Sequence, residues 1–130
     1  MGAPPKLEPL GRLPVKQYDD GQELYRYLTE HLSSMLTDQE RRIARAFLGE
    51  AKAANSSENM AAMLRKNMCS PDDKTVQSWL RTGRRPFAAT VLARLEQDDP
   101  TFRVNRCAEC QCIVATPVAR QCFWCGHDWH

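Results

Sequence analysis

The sequence predicts a mainly α-helical protein, in which a bundle of short helices is followed by a small C-terminal lobe that depends on cysteines. Two observations carry this prediction. Apolar residues recur at three- and four-residue steps through most of residues 19–100, which is the spacing of amphipathic helices. Two Cys-x-x-Cys pairs follow within residues 101–130, where that spacing stops. Residues 1–18 contain four prolines and two glycines without periodicity, and we expect them to form a flexible arm.

The first two helices are predicted at about Gln22–Met35 and at 38–54. The Asp19–Asp20 pair supplies an N-cap for the first helix. Thr37, followed three residues later by Glu40, forms a capping box for the second. The apolar positions expected to face the core are Leu24, Tyr27, Leu28, Leu32, Met35, Leu36, Ile43, Phe47 and Leu48.

Three shorter helices are predicted next. Ser57 opens the third, and the fourth is expected over residues 71–82, with Ser70 as N-cap and Pro71 in the first turn. Gly83 is expected to end the fourth helix in a left-handed conformation, and a fifth begins near Pro86. In the third helix, the side chains expected in the core are Met60, Met63, Leu64 and Met68.

The C-terminal cysteines have the spacing of a metal site. Cys107 and Cys110 form one pair, and Cys122 and Cys125 form a second pair eleven residues further on. Two such pairs predict one structural Zn²⁺ held by four thiolates, as in zinc ribbons. The β-branched residues between the pairs predict a short β-hairpin over 113–121.

Other arrangements of these residues remain open. Cys112 competes with Cys110 for the second ligand position, and a Cys₃His site would use His127 or His130. A disulfide or a redox-active pair is the third alternative. No leader-like or membrane-spanning apolar segment is evident, so we expect a cytoplasmic protein in a reducing compartment, where cysteine pairs bind metal.

Charge is unevenly distributed along the chain. The whole protein has 18 Lys and Arg against 16 Asp and Glu, but residues 65–94 contain seven basic residues and two acidic ones. A local cationic excess of this kind is typical of surfaces that bind phosphates. An ordinary helical bundle with a solvated basic face is the alternative.

The stretch Thr75-Val76-Gln77-Ser78-Trp79, followed by Gly83-Arg84-Arg85-Pro86, resembles the lambda-repressor-like (XRE) helix-turn-helix DNA-binding domains. The resemblance covers about forty residues, within 57–99, and implies that the helix at 71–82 reads the DNA major groove while Val76 and Trp79 pack inward. By the same resemblance and by their position on the helix, the DNA-binding residues are Asp73, Lys74, Thr75, Gln77, Ser78, Arg81, Arg84 and Arg85. A helical body followed by four cysteines is also similar in layout to the FlhC-type flagellar transcription activators.

These observations predict a bacterial-type, nucleoid-associated transcription regulator that binds double-stranded DNA. The fold class expected is a helical bundle containing a helix-turn-helix, followed by a zinc-ribbon β-hairpin lobe. One alternative is a zinc-ribbon adaptor that binds RNA polymerase or another regulatory protein, and a second is a small RNA- or DNA-processing factor. The sequence has no glycine-rich phosphate loop, no His-Glu-x-x-His and no nucleophile flanked by a base, so we expect no enzymatic activity. The helices at 22–36 and 38–54 are candidate contacts for a homo- or hetero-oligomer.

Overall fold

The computed structural model describes residues 17–130, so most of the predicted arm at 1–18 lies outside the described residues. Within residues 17–130 the protein is mainly helical, and none of these helices is long and apolar enough to cross a membrane. The α-helices are α1 (Asp20–His31), α2 (Asp38–Ala54), α3 (Glu58–Met68), α4 (Lys74–Thr82) and α5 (Arg84–Asp98), and a 3₁₀ turn occupies Ser33–Met35.

The N-caps predicted for three helices are confirmed, although α1 begins at Asp20, two residues before the predicted start, and ends at His31 instead of Met35. The Asp19 carboxylate accepts a hydrogen bond from the amide of Gln22 at the start of α1. At α2, the Thr37 hydroxyl accepts from the Glu40 amide while the Glu40 carboxylate accepts from the Thr37 amide, which is a complete capping box. Ser57 caps α3. These hydrogen bonds join residues only two or three positions apart, and for that reason the local sequence predicts them.

The predicted start of α4 is wrong by three residues. Ser70 has a left-handed backbone with φ of 45°, and its carbonyl oxygen accepts a hydrogen bond from the Asp73 amide at 2.9 Å. Residues 70–73 therefore form a turn instead of helix. The Asp73 carboxylate then accepts hydrogen bonds from the amides of Thr75 and Val76, so Asp73 is the N-cap and the helix begins at Lys74.

Helices α4 and α5 are joined by a single residue, Gly83. Its φ of 111° is positive, as predicted, but its ψ of 165° is extended rather than left-handed helical. Glycine adopts this backbone without the steric cost that a Cβ would add. The chain consequently turns sharply, and α5 begins at Arg84, two residues before the predicted start at Pro86.

One apolar core holds the bundle together. Helix α1 packs along α5, and α2 packs against both α3 and α4. The apolar faces of α1 and α2, which the sequence offered as oligomer contacts, are thus buried within one chain. The buried core residues of the helices are Leu24, Tyr27, Leu28, Leu36, Ile43, Ala46, Phe47, Val76, Phe87, Ala88, Val91 and Leu95, with Cys69 between α3 and α4.

Four predicted core residues are exposed instead. Met35 is 39% exposed, Leu48 48%, Met60 47% and Met63 55%. On α3 the small buried residue is Ala61, and it is this side of the helix that packs against α2. Met60 and Met63 then point away from the contact. The spacing of apolar residues alone did not show which side of α3 faces α2, because methionine and alanine both count as apolar.

The C-terminal lobe, residues 101–130, has no extended strand. The predicted β-hairpin over 113–121 is wrong: the lobe contains only two isolated antiparallel bridges, Arg106 with Ile113 and Gln121 with Asp128. Each bridge flanks one cysteine pair. The segment between the pairs is held instead by the side-chain amide of Asn105, which donates hydrogen bonds to the carbonyl oxygens of Thr116, Pro117 and Ala119.

The lobe is packed onto α1 and shares the core of the bundle. Ile113 is fully buried in the cluster formed by the helices. The Arg26 guanidinium donates to the carbonyl oxygens of Val114 and Ala115, at 3.3 and 3.1 Å. The backbone amide of Asn105 donates a hydrogen bond to the Tyr27 hydroxyl at 3.1 Å.

Candidate metal centre and nucleic-acid interface

The four predicted ligands lie together at one end of the lobe. The sulfur atoms of Cys107, Cys110, Cys122 and Cys125 all lie within 4.8 Å of one another. Sγ of Cys107 is 3.6 Å from Sγ of Cys125, and the same distance separates Cys110 from Cys122. An ion held tetrahedrally at about 2.3 Å from each sulfur places the sulfurs about 3.8 Å apart. The cluster therefore fits a tetrahedral metal ion.

The two cysteine pairs have nearly the same backbone geometry. In the first, the Glu109 amide donates to the sulfur of Cys107, and in the second the Trp124 amide donates to the sulfur of Cys122, each at 3.3 Å. The residue after each pair has a positive φ, 67° at Gln111 and 86° at Gly126. Gly126 was recognisable from the sequence, whereas Gln111 was not.

Three of the four thiols in this cluster have pKa values raised above that of an ordinary cysteine. Burial raises the pKa of Cys110 to about 12, and burial also raises the pKa values of Cys122 and Cys125. Burial acts in the same sense on Cys107, but amide donors from Cys110 and Glu109 outweigh it and keep its pKa below the ordinary value. A metal must therefore displace protons, and its affinity should rise with pH.

The alternative ligands lie outside the group of four sulfurs. Cys112 does not belong to the cluster of four sulfurs. His127 stacks on Trp129 with ring centroids 5.6 Å apart. His130 bonds to Asp128 through Nδ1. The geometry thus favours Cys110 over Cys112 and four thiolates over a mixed site.

The predicted DNA-binding residues divide into two groups. Lys74, Thr75, Ser78 and Arg81 are exposed on α4, on the side away from the buried Val76. Helical spacing brings Lys74, Ser78 and Arg81 to one face of the helix. Helix α4 itself contains no acidic residue, although Asp72, which is exposed, and the N-cap Asp73 directly precede it.

The remaining predicted residues are engaged within the chain. Asp73 caps α4 and lies 3.5 Å from Arg42, a cation that the sequence did not single out. The side-chain amide of Gln77 donates hydrogen bonds to the carbonyl oxygens of Cys69 and Ser70 at 2.7 and 3.2 Å, which closes the turn before α4.

The two arginines after Gly83 are also engaged. The Arg84 guanidinium lies 5.3 Å from the ring centroids of both Tyr25 and Phe47 and donates to the Phe47 carbonyl oxygen. Arg85 forms an ion pair with Asp19, and the hydrogen bonds from Arg85 lower the pKa of Asp19 to about 2. Neither role follows from the local sequence, because each partner is distant along the chain.

Comparison of the chain with family models, with curated protein sequences and with solved structures gives no match. Function is therefore inferred from the residues themselves.

Proposed function

We propose that this protein is a DNA-binding transcription regulator that places α4 in the major groove of double-stranded DNA. The observation that carries the proposal is the exposed face of α4, where Lys74, Ser78 and Arg81 line one side without an acidic neighbour on the helix. Lysine and serine side chains donate hydrogen bonds to base edges, and arginine binds phosphates.

The dimensions of α4 support this use. An α-helix with its side chains is about 10–12 Å in diameter, which the major groove, about 12 Å wide, admits, and the nine residues of α4 form about two and a half turns. In this proposal α3 and α4 are the two helices of the helix-turn-helix, joined by residues 69–73. We assign base contacts to Lys74 and Ser78, with Thr75 beside them, and phosphate contacts to Arg81. Asp73, Gln77, Arg84 and Arg85 hold the helix in place and do not contact DNA.

We propose further that the four cysteines bind one Zn²⁺ with a structural role. Four thiolates at tetrahedral separations are the ligand set of structural zinc, and they leave no position open for a substrate. The metal stabilises a lobe whose own buried cluster consists only of Cys107, Val114 and Cys122, with four partly buried neighbours.

The test is binding to defined nucleic acids over a series of salt concentrations. Sequences selected from a random duplex pool should bind more tightly than unrelated duplex, single-stranded DNA or RNA, and affinity should fall as salt rises. Equal affinity for all duplexes, or a preference for single strands or RNA, would contradict the proposal. The latter result would favour the nucleic-acid-processing alternative.

A second candidate is an adaptor that binds RNA polymerase or another regulatory protein. It is favoured by two aromatic residues on the lobe, since Phe123 is 59% exposed and Trp129 36% exposed. Exposed aromatic side chains are enriched at protein interfaces. If purified RNA polymerase binds the parent protein but not Phe123→Ala, while no duplex is selected, the adaptor function replaces the first proposal.

A further inference from the structure

Three consecutive residues, Tyr18, Asp19 and Asp20, contact both the C-terminal lobe and helix α5. Tyr18 and Asp20 contact the C-terminal lobe, whereas Asp19 contacts α5. We call residues 18–20 the connecting segment. Its first residue, Tyr18, is the last residue of the stretch that the sequence assigns to a flexible arm, yet Tyr18 accepts a hydrogen bond from a residue 95 positions away.

On the lobe side, the connecting segment is bound next to the cysteines. The Tyr18 hydroxyl accepts a hydrogen bond from the Ile113 amide at 2.8 Å and donates one to the Asp20 carboxylate at 2.6 Å. The rings of Tyr18 and Trp124 pack edge to face, with their centroids 4.9 Å apart. Trp124 lies between Cys122 and Cys125 in the sequence. Asp20 in turn accepts two hydrogen bonds from Arg106, at 2.8 and 3.1 Å, and Arg106 directly precedes Cys107.

On the helix side, Asp19 is bound to the start of α5. Both of its carboxylate oxygens lie 3.0–3.1 Å from Nε of Arg85, and one also caps α1. Gly21 allows this approach, because a Cβ there would come within 2.8 Å of Cγ of Arg85. Arg85 lies two residues after Gly83, which is the joint between α4 and α5.

We propose that the connecting segment couples metal binding at the cysteines to the position of α4, so that the metal-loaded protein binds duplex DNA more tightly than the metal-free protein. This inference rests on the proposed function of α4. Tyr18 and Asp19 are positioning residues: they touch neither the metal nor the DNA, and they act through Trp124, Ile113 and Arg85.

The physical basis is the small size of the lobe's own core. Without a metal ion, the lobe retains few buried apolar residues, and the surface on which Tyr18 packs loses its support. Asp19 and Asp20 are then freer to move. The ion pair between Asp19 and Arg85 weakens as a result, and the α4–α5 joint becomes more mobile. Linkage requires the converse as well: DNA that prefers the ordered joint must raise metal affinity by the same factor.

The test compares two tyrosines that each accept one amide hydrogen bond from the lobe. Tyr18→Phe removes the bond from the Ile113 backbone amide together with the bond to Asp20, and Tyr27→Phe removes the bond from the Asn105 backbone amide at 3.1 Å. Only Tyr18 adjoins Asp19, so Tyr27→Phe is the matched control. Both variants are studied as full-length, zinc-loaded protein, by amide hydrogen exchange and by binding to the selected duplex.

We expect Tyr18→Phe to speed amide exchange at Gly83 and Phe87 and to weaken duplex binding, each by about fivefold or more, because fivefold corresponds to about one hydrogen bond and the variant loses two. Tyr27→Phe should leave both unchanged. We also expect zinc affinity to rise when duplex is added to the parent, and Asp19→Asn, which retains an N-cap but weakens the ion pair, to reduce that rise.

Two results would overturn the inference. One is an equal effect of the two tyrosine variants on the joint, and the other is faster exchange confined to residues 101–130. If the parent binds no duplex at all, the proposed function fails and control of DNA binding fails with it. The exchange data then still decide, separately, whether the connecting segment links the lobe to the α4–α5 joint.

Discussion

Arg84 donates a hydrogen bond across the bundle to the carbonyl oxygen of Phe47, 3.1 Å away. The residues are 37 positions apart, and the bond joins the first residue of α5 to the middle of α2. The basic run of the sequence is therefore not one surface. Arg81 faces solvent, whereas Arg84 is half-buried and stabilises the fold.

The first prediction is that Arg84→Ala destabilises the protein. The change removes the hydrogen bond to Phe47 and the contacts with two aromatic rings, and we expect the free energy of unfolding to fall by about 1–3 kcal/mol. Denaturant unfolding of the zinc-loaded protein measures this. Arg81→Ala is the control and should leave stability within about 0.5 kcal/mol of the parent. Equal stability of the two variants would contradict a structural role for Arg84.

The second prediction separates base contacts from phosphate contacts on α4. Lys74→Ala and Ser78→Ala should change which sequences are preferred, at a cost of about 1–3 kcal/mol for a good base contact. Arg81→Ala should weaken binding to all duplexes alike and reduce the salt slope by about one unit. Lys66→Ala, an exposed lysine on α3, is the charge-matched control. If Lys74→Ala and Ser78→Ala keep the parent's preferences, α4 does not read the bases.

The third prediction concerns the metal ligands. We expect one Zn²⁺ per chain, and Cys110→Ser should lose it whereas Cys112→Ser should keep it, because only Cys110 belongs to the cluster of four sulfurs. Native mass spectrometry gives the stoichiometry. Retention of zinc by Cys110→Ser together with its loss from Cys112→Ser would show that the ligand assignment is wrong.

The fourth prediction is a pH-dependent contribution from the ion pair between Glu40 and Arg94. Burial raises the pKa of Glu40, but hydrogen bonds from Arg94 and from the Thr37 amide outweigh it, and the pKa lies below the ordinary value of 4.5. A lowered pKa means that the pair stabilises the folded state above pH 4.5 and that this contribution is lost as the pH falls through the lowered pKa.

Glu40→Gln isolates this contribution, because glutamine can still complete the capping box. At neutral pH we expect the variant to be less stable by about 1–2 kcal/mol, a difference that shrinks below pH 4.5. Both proteins lose metal as the pH falls, so this loss does not change the difference between their free energies of unfolding at a given pH. Thr37→Ala should cost about 1 kcal/mol at every pH. A pH-independent difference for Glu40→Gln would exclude the ion pair as its cause.

The sequence by itself determined features that depend on neighbouring residues. The starts of α1, α2 and α3 follow from side chains that bond to amides two or three positions away. The grouping of the four cysteines follows from their spacing, because each Cys-x-x-Cys turn directs both of its sulfurs to one point. The start of α4 was predicted wrongly, because Ser70, the expected N-cap, lies in a turn with a positive φ and Asp73 caps the helix instead.

The tertiary structure alone decided which polar residues are free to bind a partner. Arg84 and Arg85 are adjacent in a basic run, yet one lies between aromatic rings of α1 and α2 and the other pairs with Asp19, 66 residues away. Tyr18 and Ile113 are 95 residues apart, and their hydrogen bond joins the start of the bundle to the C-terminal lobe. No local pattern encodes such pairs, because they form only after α1 has packed against both α5 and the lobe, and that packing is set by the shape of the shared core.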